Sequence, residues 1–282
     1  MDFGANAWIW GSPLTTEKIE ALAPKVSAMG FDEFEIPIEE RGTIDYEQAG
    51  AILDEHDLSA GVITAMTDER DLLSPTDGVP EQGREYVRHC IDAADTLGAR
   101  TVIGPIYSAV GRTWKMTPDE RAATLDRLIP QLRELSAYAA DRDVVLCIEP
   151  LNRFETSVIN TVEQGVELVD RVDSEACGLL LDTFHMNIEE DDLGDAIRTA
   201  GSRVQHVHAC GSHRGAPGSG TIQWDRVAEA LDDVDYDDSL VIESFTPEVE
   251  SIARAAAIWR PLAASQDDLA EDGLAFLEQT FD

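Results

Sequence analysis

Four side chains able to bind a metal ion stand at the ends of short apolar runs in the second half of the chain. They are Glu149 in VVLCIE, Asp182 in CGLLLD, His208 in RVQHVH and Glu243 in SLVIE. If these runs are strands buried on both faces, an unpaired carboxylate at their ends costs several kcal/mol, and a bound metal ion removes that cost. Three carboxylates and one imidazole favour a borderline-to-hard divalent cation, such as Mn²⁺, Co²⁺ or Mg²⁺, over a thiolate-rich zinc site.

Each of these residues also has a simpler interpretation. An acidic residue after an apolar run can start a loop or cap the next helix, and a single histidine in a strand is more often structural. His206 and His208 are two residues apart, so strand alternation sends both to the same face, one as a candidate ligand and the other as a packed neighbour. Cys210 lies close in sequence but is not expected to be a ligand. Four such residues at the ends of successive strands are difficult to explain by coincidence.

Eight short apolar runs alternate with longer segments of helical period, which predicts parallel strands joined by helices. The predicted strands are 3–9, 33–37, 59–65, 100–105, 144–149, 177–182, 203–208 and 239–243. This pattern predicts an α/β fold, a (β/α)8 TIM barrel in a single domain over 1–282, with a helical segment at about 247–280 packed on it. Barrel enzymes collect their catalytic groups at the carboxyl ends of the strands, so we expect the site at that end of the second half.

Start and stop signals support the predicted helices. Thr15, Pro80 and Thr117 each stand at the beginning of an amphipathic stretch. Gly30 and Gly98 follow the first two of these stretches, where a glycine commonly ends a helix. The connections between the strands are therefore predicted to be helical.

Bulk composition narrows the class of protein. A chain of 282 residues with 43% hydrophobic residues can bury a large core, and barrels of this size form one domain. It has no apolar run long enough for a membrane span, and its amino terminus does not resemble a secretory leader, so we expect a cytoplasmic protein with no membrane contact. The four cysteines lie far apart without a CxxC pair, which argues against a disulfide framework and a zinc ribbon.

The net charge is strongly negative. The chain carries 56 Asp and Glu against 21 Lys and Arg, a formal charge of −35, and this charge is spread along the sequence. Such a surface repels phosphate backbones, so nucleic acid is not an expected partner. Only Lys18, Lys25 and Lys115 are lysines, and this composition resembles that of cytosolic proteins from salt-accumulating microbes.

We expect the melting temperature to rise between low and molar KCl. Repulsion among the acidic groups opposes the compact state, and molar salt shortens the Debye length to roughly 3 Å, which removes most of that repulsion. Thermal unfolding followed by circular dichroism over a KCl series measures the effect. A melting temperature that does not change with KCl would contradict the expectation.

Four segments carry a resemblance to a known family. They are IEPLNRFE (148–155), LLLDTFHMNIEEDDLGDAIRTAG (179–201), HVHACGSHRGAPGSG (206–220) with Trp224, and VIESF (241–245). In these segments the chain resembles the ketose 3-epimerase family, the D-tagatose and D-psicose 3-epimerases among the xylose-isomerase-like barrels. The run DTFHMNIEED followed by AIRTAG is long and specific. The resemblance is clearest over 140–245 and becomes a general βα similarity toward the amino terminus.

The resemblance implies a role for each of seven residues. It makes Glu149, Asp182, His208 and Glu243 the ligands of one divalent metal ion, with Mn²⁺ favoured over Co²⁺ and Mg²⁺, and it makes Glu149 and Glu243 the catalytic acid and base. Glu155, His185 and Arg214 match the positions that contact the sugar substrate. The implied reaction inverts C3 of a small ketose through an enediolate, and the implied assembly is a homo-oligomer, either a dimer or a tetramer.

Other interpretations remain open at this point. An aldose–ketose isomerase, of the kind related to hydroxypyruvate isomerase, uses the same metal and enediolate but returns the proton to the neighbouring carbon. A nuclease like endonuclease IV shares the barrel but needs a larger ligand set for several zinc ions. The net charge of −35 and the presence of only four well-supported ligands both argue against a nuclease. A non-catalytic sugar-binding barrel would be favoured if Glu149 or Glu243 were missing. Without the motif, Glu155 is a loop charge, His185 a turn histidine and Arg214 a solvated arginine.

Three segments depart from the family pattern. After the third predicted strand the family has a Gly-His-Gly-like turn, and this chain has ITAM over 63–66. After the fourth comes GPIYSAVGRTW, in which Trp114 is a candidate aromatic wall. Beyond His208 the family's Thr-Gly-Glu is replaced by Ala-Cys-Gly over 209–211. These departures concern the particular sugar rather than the metal.

Overall fold

Eight parallel strands form the centre of the structure, a computed structural model that describes residues 1–281. They are β1 (Phe3–Asn6), β2 (Glu33–Pro37), β3 (Ser59–Ile63), β4 (Thr101–Gly104), β5 (Val145–Ile148), β6 (Cys177–Asp182), β7 (Val204–His208) and β8 (Leu240–Ile242). Each strand pairs with the next along the chain, and β8 pairs with β1, so the sheet closes. The predicted (β/α)8 TIM barrel is confirmed.

Helices surround this barrel. They are α1 (Thr16–Met29), α2 (Tyr46–Glu55), α3 (Val79–Leu97), α4 (Pro118–Ala140), α5 (Val162–Val172), α6 (Thr183–Glu189), α7 (Leu193–Ala200), α8 (Trp224–Asp233), α9 (Glu250–Ala255) and α10 (Gln266–Phe281). Short 3-10 turns lie at Ala7–Ile9, Asp68–Arg70 and Gly201–Arg203. The last two α-helices fall within the predicted carboxyl-terminal helical segment, and α10 contacts β1 and β8.

The helix signals in the sequence act as predicted. Thr15 caps α1 by accepting a hydrogen bond from the backbone N–H of Lys18, and Thr117 forms a reciprocal capping box with Glu120 at the start of α4. Gly30 and Gly98 end α1 and α3 with φ of 102° and 75°, in the left-handed region that glycine adopts without a steric cost. Local chemistry therefore sets these helix boundaries.

Alternate residues of the strands face two different cores. Leu146 and Ile148 of β5 belong to the large apolar core shared with the helices, whereas Cys147 belongs to a smaller cluster that includes Leu180 of β6. Side chains along a strand alternate between faces, so Glu149 lies on the same face as Cys147, and Asp182 on the same face as Leu180. This alternation brings the acidic groups together at the carboxyl end of the barrel.

The first strand is shorter than predicted. The pattern predicts a strand over 3–9, but β1 ends at Asn6 and a 3-10 turn follows. The Asn6 side chain accepts a hydrogen bond from the backbone N–H of Trp8 at 2.8 Å, which caps that turn and ends the extended conformation. The other strands match their predicted ranges to within two residues at each end.

Two further predictions concern the chain as a whole. None of the helices in residues 1–281 combines the length and the apolar character needed to cross a membrane. All four cysteines are free and buried, which agrees with the expected absence of a disulfide framework.

Candidate metal centre and active site

The four predicted ligands converge at the carboxyl end of the barrel. Glu149 follows β5, Asp182 ends β6, His208 ends β7 and Glu243 follows β8, and none of them is more than 4% exposed. Single ligand atoms from Glu149, Asp182 and His208 lie within 4.8 Å of one another, as do atoms from Asp182, Glu243 and Cys210. The barrel thus brings together residues that are as much as 94 positions apart in the sequence.

His208 supplies the observation that tests whether a metal ion fits. Its Nδ1 atom is buried and has no hydrogen-bond partner in residues 1–281, and it lies 3.8 Å from Asp182 Oδ2 and 3.7 Å from Glu243 Oε2. A buried nitrogen without a partner is costly, and these distances are too long for hydrogen bonds. Two carboxylates and a free imidazole nitrogen around one point are the donors that a divalent cation takes. The residues fit a metal ion.

The acidic groups repel one another in the absence of a cation. Burial raises the pKa of Glu149 well above its ordinary value, and the charges of Glu243 and Asp182 raise it further. Burial also raises the pKa of Glu243 to about 7, although Arg214 opposes this shift. Burial would raise the pKa of Asp182 as well, but Arg214 holds it below its ordinary range. The site therefore favours positive charge between these carboxylates.

Arg214 lies between two of the carboxylates. Its Nη1 donates to Asp182 Oδ2 at 2.6 Å and to Glu243 Oε2 at 2.5 Å, and its guanidinium lies 4.1 Å from the centre of the Phe184 ring. The backbone of Arg214 has φ of 65°, and its carbonyl accepts a hydrogen bond from Ser244 Oγ at 2.7 Å. A non-glycine residue in the left-handed region is uncommon and persists only where the surrounding contacts hold it. The sequence predicts the residue, but not its buried ion pairs.

His185 in α6 is held in one orientation by Asn152. The backbone N–H of Asn152 donates to His185 Nδ1 at 3.1 Å, so the proton of the neutral ring is on Nε2. Burial lowers the pKa of His185 to about 4, which keeps the ring neutral at pH 7. Nε2 lies 3.5 Å from Glu149 Oε1 and 3.0 Å from Arg214 Nη2, so in this tautomer two donors face each other and repel until an acceptor lies between them. An acceptor oxygen placed beside both N–H groups would be bound by both.

A cavity of about 730 Å³ opens above these groups. Glu149, Glu243, Glu155, His185 and Arg214 all line it. Glu155 also accepts a hydrogen bond from the Asn152 side chain at 2.8 Å, which ties it to the residue that orients the histidine. The structure thus brings the three predicted sugar contacts to one cavity together with both predicted catalytic glutamates.

The apolar wall of this cavity is not the one the sequence suggests. Trp114 packs against the Arg112 guanidinium, with 4.4 Å from Cζ to the ring centre, and is 36% exposed. Trp8 and Phe245 line the cavity instead, with their rings stacked and their centres 5.5 Å apart. Trp8 lies in the 3-10 turn directly after β1, and nothing in its local sequence pattern distinguishes it from a core tryptophan.

Two other contributors were missed by sequence reasoning. Asn152 lies inside the quoted IEPLNRFE segment, so the motif contained a signal for it. Glu35 in β2 contacts both His206 and His208 from the opposite side of the barrel, and only the closed barrel brings it there. An acidic residue within an apolar strand, in EFEIP, was the available signal.

The fold and the site together define a (β/α)8 barrel with a cluster of carboxylates and an imidazole at its catalytic end. The model of the xylose isomerase-like TIM barrels matches residues 23–280. A ketose 3-epimerase from Arthrobacter globiformis is 31% identical over 98% of this chain and 96% of its own length. The structure of a D-allulose 3-epimerase from Methylomonas sp. in complex with D-allulose matches this one with a TM-score of 0.92 and 29% identity. The match covers 99% of this chain and 97% of the epimerase chain.

A second relative gives the same assignment. A D-psicose 3-epimerase from Ruminiclostridium cellulolyticum is 32% identical over 86% of this chain and 84% of its own length. The chain belongs to the xylose isomerase-like TIM barrels and, within them, to the ketose 3-epimerases.

Proposed function

We propose that the chain is a metal-dependent isomerase that inverts C3 of a small ketose through an enediolate. The observation that carries the proposal is the cluster of three buried carboxylates beside His208, whose Nδ1 has no hydrogen-bond partner in residues 1–281, at the base of a cavity large enough for a sugar. The assigned ligands are Glu149, Asp182, His208 and Glu243. Its relatives named as ketose and D-psicose 3-epimerases support the same reaction.

Epimerisation beside a carbonyl requires removal of a weakly acidic C–H proton and delivery of a proton to the opposite face. In the proposed assignment Glu149 and Glu243 share this work, one taking the C3 proton while the other delivers a proton to the other face. When bound, the divalent cation would polarise the carbonyl and stabilise the charge that develops on oxygen. Burial keeps bulk water from competing for these protons, because both glutamates are at most 4% exposed.

Three side chains are proposed to hold the sugar. The N–H groups of His185 and Arg214 converge, and they would bind a substrate oxygen close to Glu149. Glu155, tied to Asn152, would accept a hydrogen bond from a neighbouring hydroxyl group. Acidic side chains of the cavity rim, including Glu39, support an uncharged sugar over a phosphorylated one.

The finer assignments are part of the same proposal. We assign Mn²⁺ as the metal, with Co²⁺ and Mg²⁺ as alternatives, because the donor set has three carboxylates and one imidazole. We place the protein in the cytoplasm of a salt-accumulating microbe, on the grounds of the formal charge of −35 and the free cysteines. We also assign the whole of 1–282 to one domain, and the protein to a dimer or tetramer that contacts neither nucleic acid nor membrane.

Proton exchange tests the proposed reaction directly. Protein loaded with Mn²⁺ is incubated in D2O at high salt with a panel of free ketoses, the metal is removed, and the sugars are examined by NMR. Deuterium at C3 together with the C3 epimer is the expected result. Deuterium at C1 with an aldose product would replace the epimerase by an aldose–ketose isomerase, and no exchange with any free ketose despite bound metal would contradict both.

Asn152→Leu is expected to lower kcat by about tenfold to a hundredfold while metal binding is unchanged. The substitution removes the side-chain donor at 2.9 Å from His185 Nδ1 and the bond to Glu155, so Glu155 loses this partner and His185 keeps only the backbone N–H of Asn152. Steady-state kinetics with the best ketose from the exchange panel measures the loss. Asn187→Leu, in the same helix as His185, is the matched control, and an equal effect of both substitutions would count against the role of Asn152.

A further inference from the structure

Glu35 makes a contact across the barrel that the proposed reaction does not use. It lies in β2, is 0% exposed, and its carboxylate lies 3.0 Å from His206 Nε2 and 3.2 Å from His208 Nε2. β2 and β7 are not neighbours in the sheet, because β1 and β8 lie between them. The carboxylate therefore spans the interior of the barrel to reach the two histidines.

The hydrogen bonds around Glu35 fix where the protons are. Asn6 Oδ1 accepts from the backbone N–H of Trp8, so its amide orientation is set and its Nδ2 donates to Glu35 Oε2. The ionised carboxylate only accepts hydrogen bonds, so His206 and His208 each present an Nε2–H to it. A neutral His208 with its proton on Nε2 has its lone pair on Nδ1.

That lone pair points to the carboxylate cluster. Nδ1 of His208 is the buried nitrogen without a partner in residues 1–281, and it lies 3.7 Å from Glu243 Oε2. A ligating histidine commonly donates its other N–H to a carboxylate, which fixes the tautomer and the ring orientation. We propose that Glu35 is a positioning residue that holds His208 with Nδ1 directed at the metal. The inference rests on the metal site of the proposed function.

Glu33 provides a matched control on the same strand. It lies two residues before Glu35, so it is on the same face of β2, and it is also buried, at 6% exposure. Burial raises its pKa, and its carboxyl group interacts with Ser239 before β8, at the amino-terminal end of the barrel. Glu33→Gln changes the same chemical group in the same kind of environment, and Glu33 acts on His206 and His208 only through its charge, with no hydrogen bond to either ring in residues 1–281.

Titration of the metal-free protein with Mn²⁺ tests the proposal without an activity assay. The EPR signal of unbound Mn²⁺ is recorded at each step and gives the dissociation constant. Glu35→Gln is expected to weaken Mn²⁺ binding by about tenfold to a hundredfold, whereas Glu33→Gln leaves it within about twofold of the wild type. Equal Mn²⁺ affinity of Glu35→Gln and wild-type protein would overturn the proposal while leaving the proposed function intact. Failure of the wild-type protein to bind Mn²⁺ would instead overturn the metal site itself, and this inference with it.

A measurement on the wild-type chain keeps the test decisive if Glu35→Gln does not fold. Protein labelled with ¹⁵N-histidine is loaded with ¹¹³Cd²⁺, and NMR shows which ring nitrogen is coupled to cadmium. Coupling to Nδ1 of His208, with a proton retained on Nε2, is the expected result. Coupling to Nε2, or loss of the Nε2 proton, would contradict the role assigned to Glu35.

Discussion

Glu149→Gln and Glu243→Gln are each expected to lower kcat for epimerisation by about a hundredfold to ten-thousandfold, even with saturating Mn²⁺. An amide can neither take the C3 proton nor return it, and it also removes negative charge from a site that needs a cation. Steady-state kinetics with the active ketose measures the loss. Metal content is determined for each variant, so that a missing ion is not mistaken for a missing base. Glu163→Gln, on the exposed face of α5, is the matched control and should retain full activity.

The two variants should also differ from each other. If each glutamate serves one face of the sugar, each variant should still exchange the C3 proton of one epimer with D2O while failing to exchange that of the other. Incubating both epimers with both variants therefore gives four exchange rates, two retained and two lost. Loss of exchange with the same epimer in both variants would contradict the assignment of one base to each face.

Removal of the metal is expected to abolish C3 exchange and to lower the melting temperature. Without a cation, Glu149, Asp182 and Glu243 lie together in a buried site, where burial raises the pKa of both glutamates and the charge of Asp182 raises them further. Metal at a thousandfold excess over its Kd adds about 4 kcal/mol to the free energy of unfolding. For a chain of 282 residues that corresponds to roughly 7 °C. Differential scanning calorimetry with and without EDTA at constant KCl measures the shift.

Asp182→Asn is the informative variant for this experiment. It removes one carboxylate from the centre of the cluster, so its melting temperature should respond little to EDTA. Mn²⁺ added back in excess over the chelator should restore both activity and stability to the wild-type protein. An unchanged melting temperature and full activity of wild-type protein in EDTA would contradict a metal-dependent mechanism.

The ends of the strands were the most predictable part of the site. An acidic or imidazole side chain after an apolar run is a local signal, because burial at the end of a strand needs compensation that the sequence itself makes visible. Closure of the barrel then places residues such as Glu149 and Glu243 at the same end. The fold was predictable for a related reason, since the alternation of apolar runs and helical segments is repeated eight times.

Contacts across the barrel were not predictable in this way. Glu35 and His208 are 173 residues apart, and the sequence around each of them gives no indication that the two side chains are in contact. Arg214 is similar, because its ion pair with Asp182 depends on a loop whose backbone takes a left-handed conformation at the arginine itself. The shortening of β1 depends on one side-chain cap, at Asn6, which an apolar pattern does not register. Sequence periodicity thus predicts the positions of the strands, but not the side-chain contacts that form in the interior of the barrel.

The contact between Glu35 and His208 limits how far the barrel can be divided into interchangeable parts. The four proposed ligands all come from β5 to β8, which suggests that a carboxyl-terminal half could be grafted onto an unrelated amino-terminal half with its chemistry intact. The carboxylate that orients the histidine, and the amide of Asn6 that holds this carboxylate, come from β1 and β2. A chimaera joined at the midpoint would contain the four ligands but lack Glu35 and Asn6. A functional recombinant of this barrel should therefore take β1 and β2 from the same parent as β7.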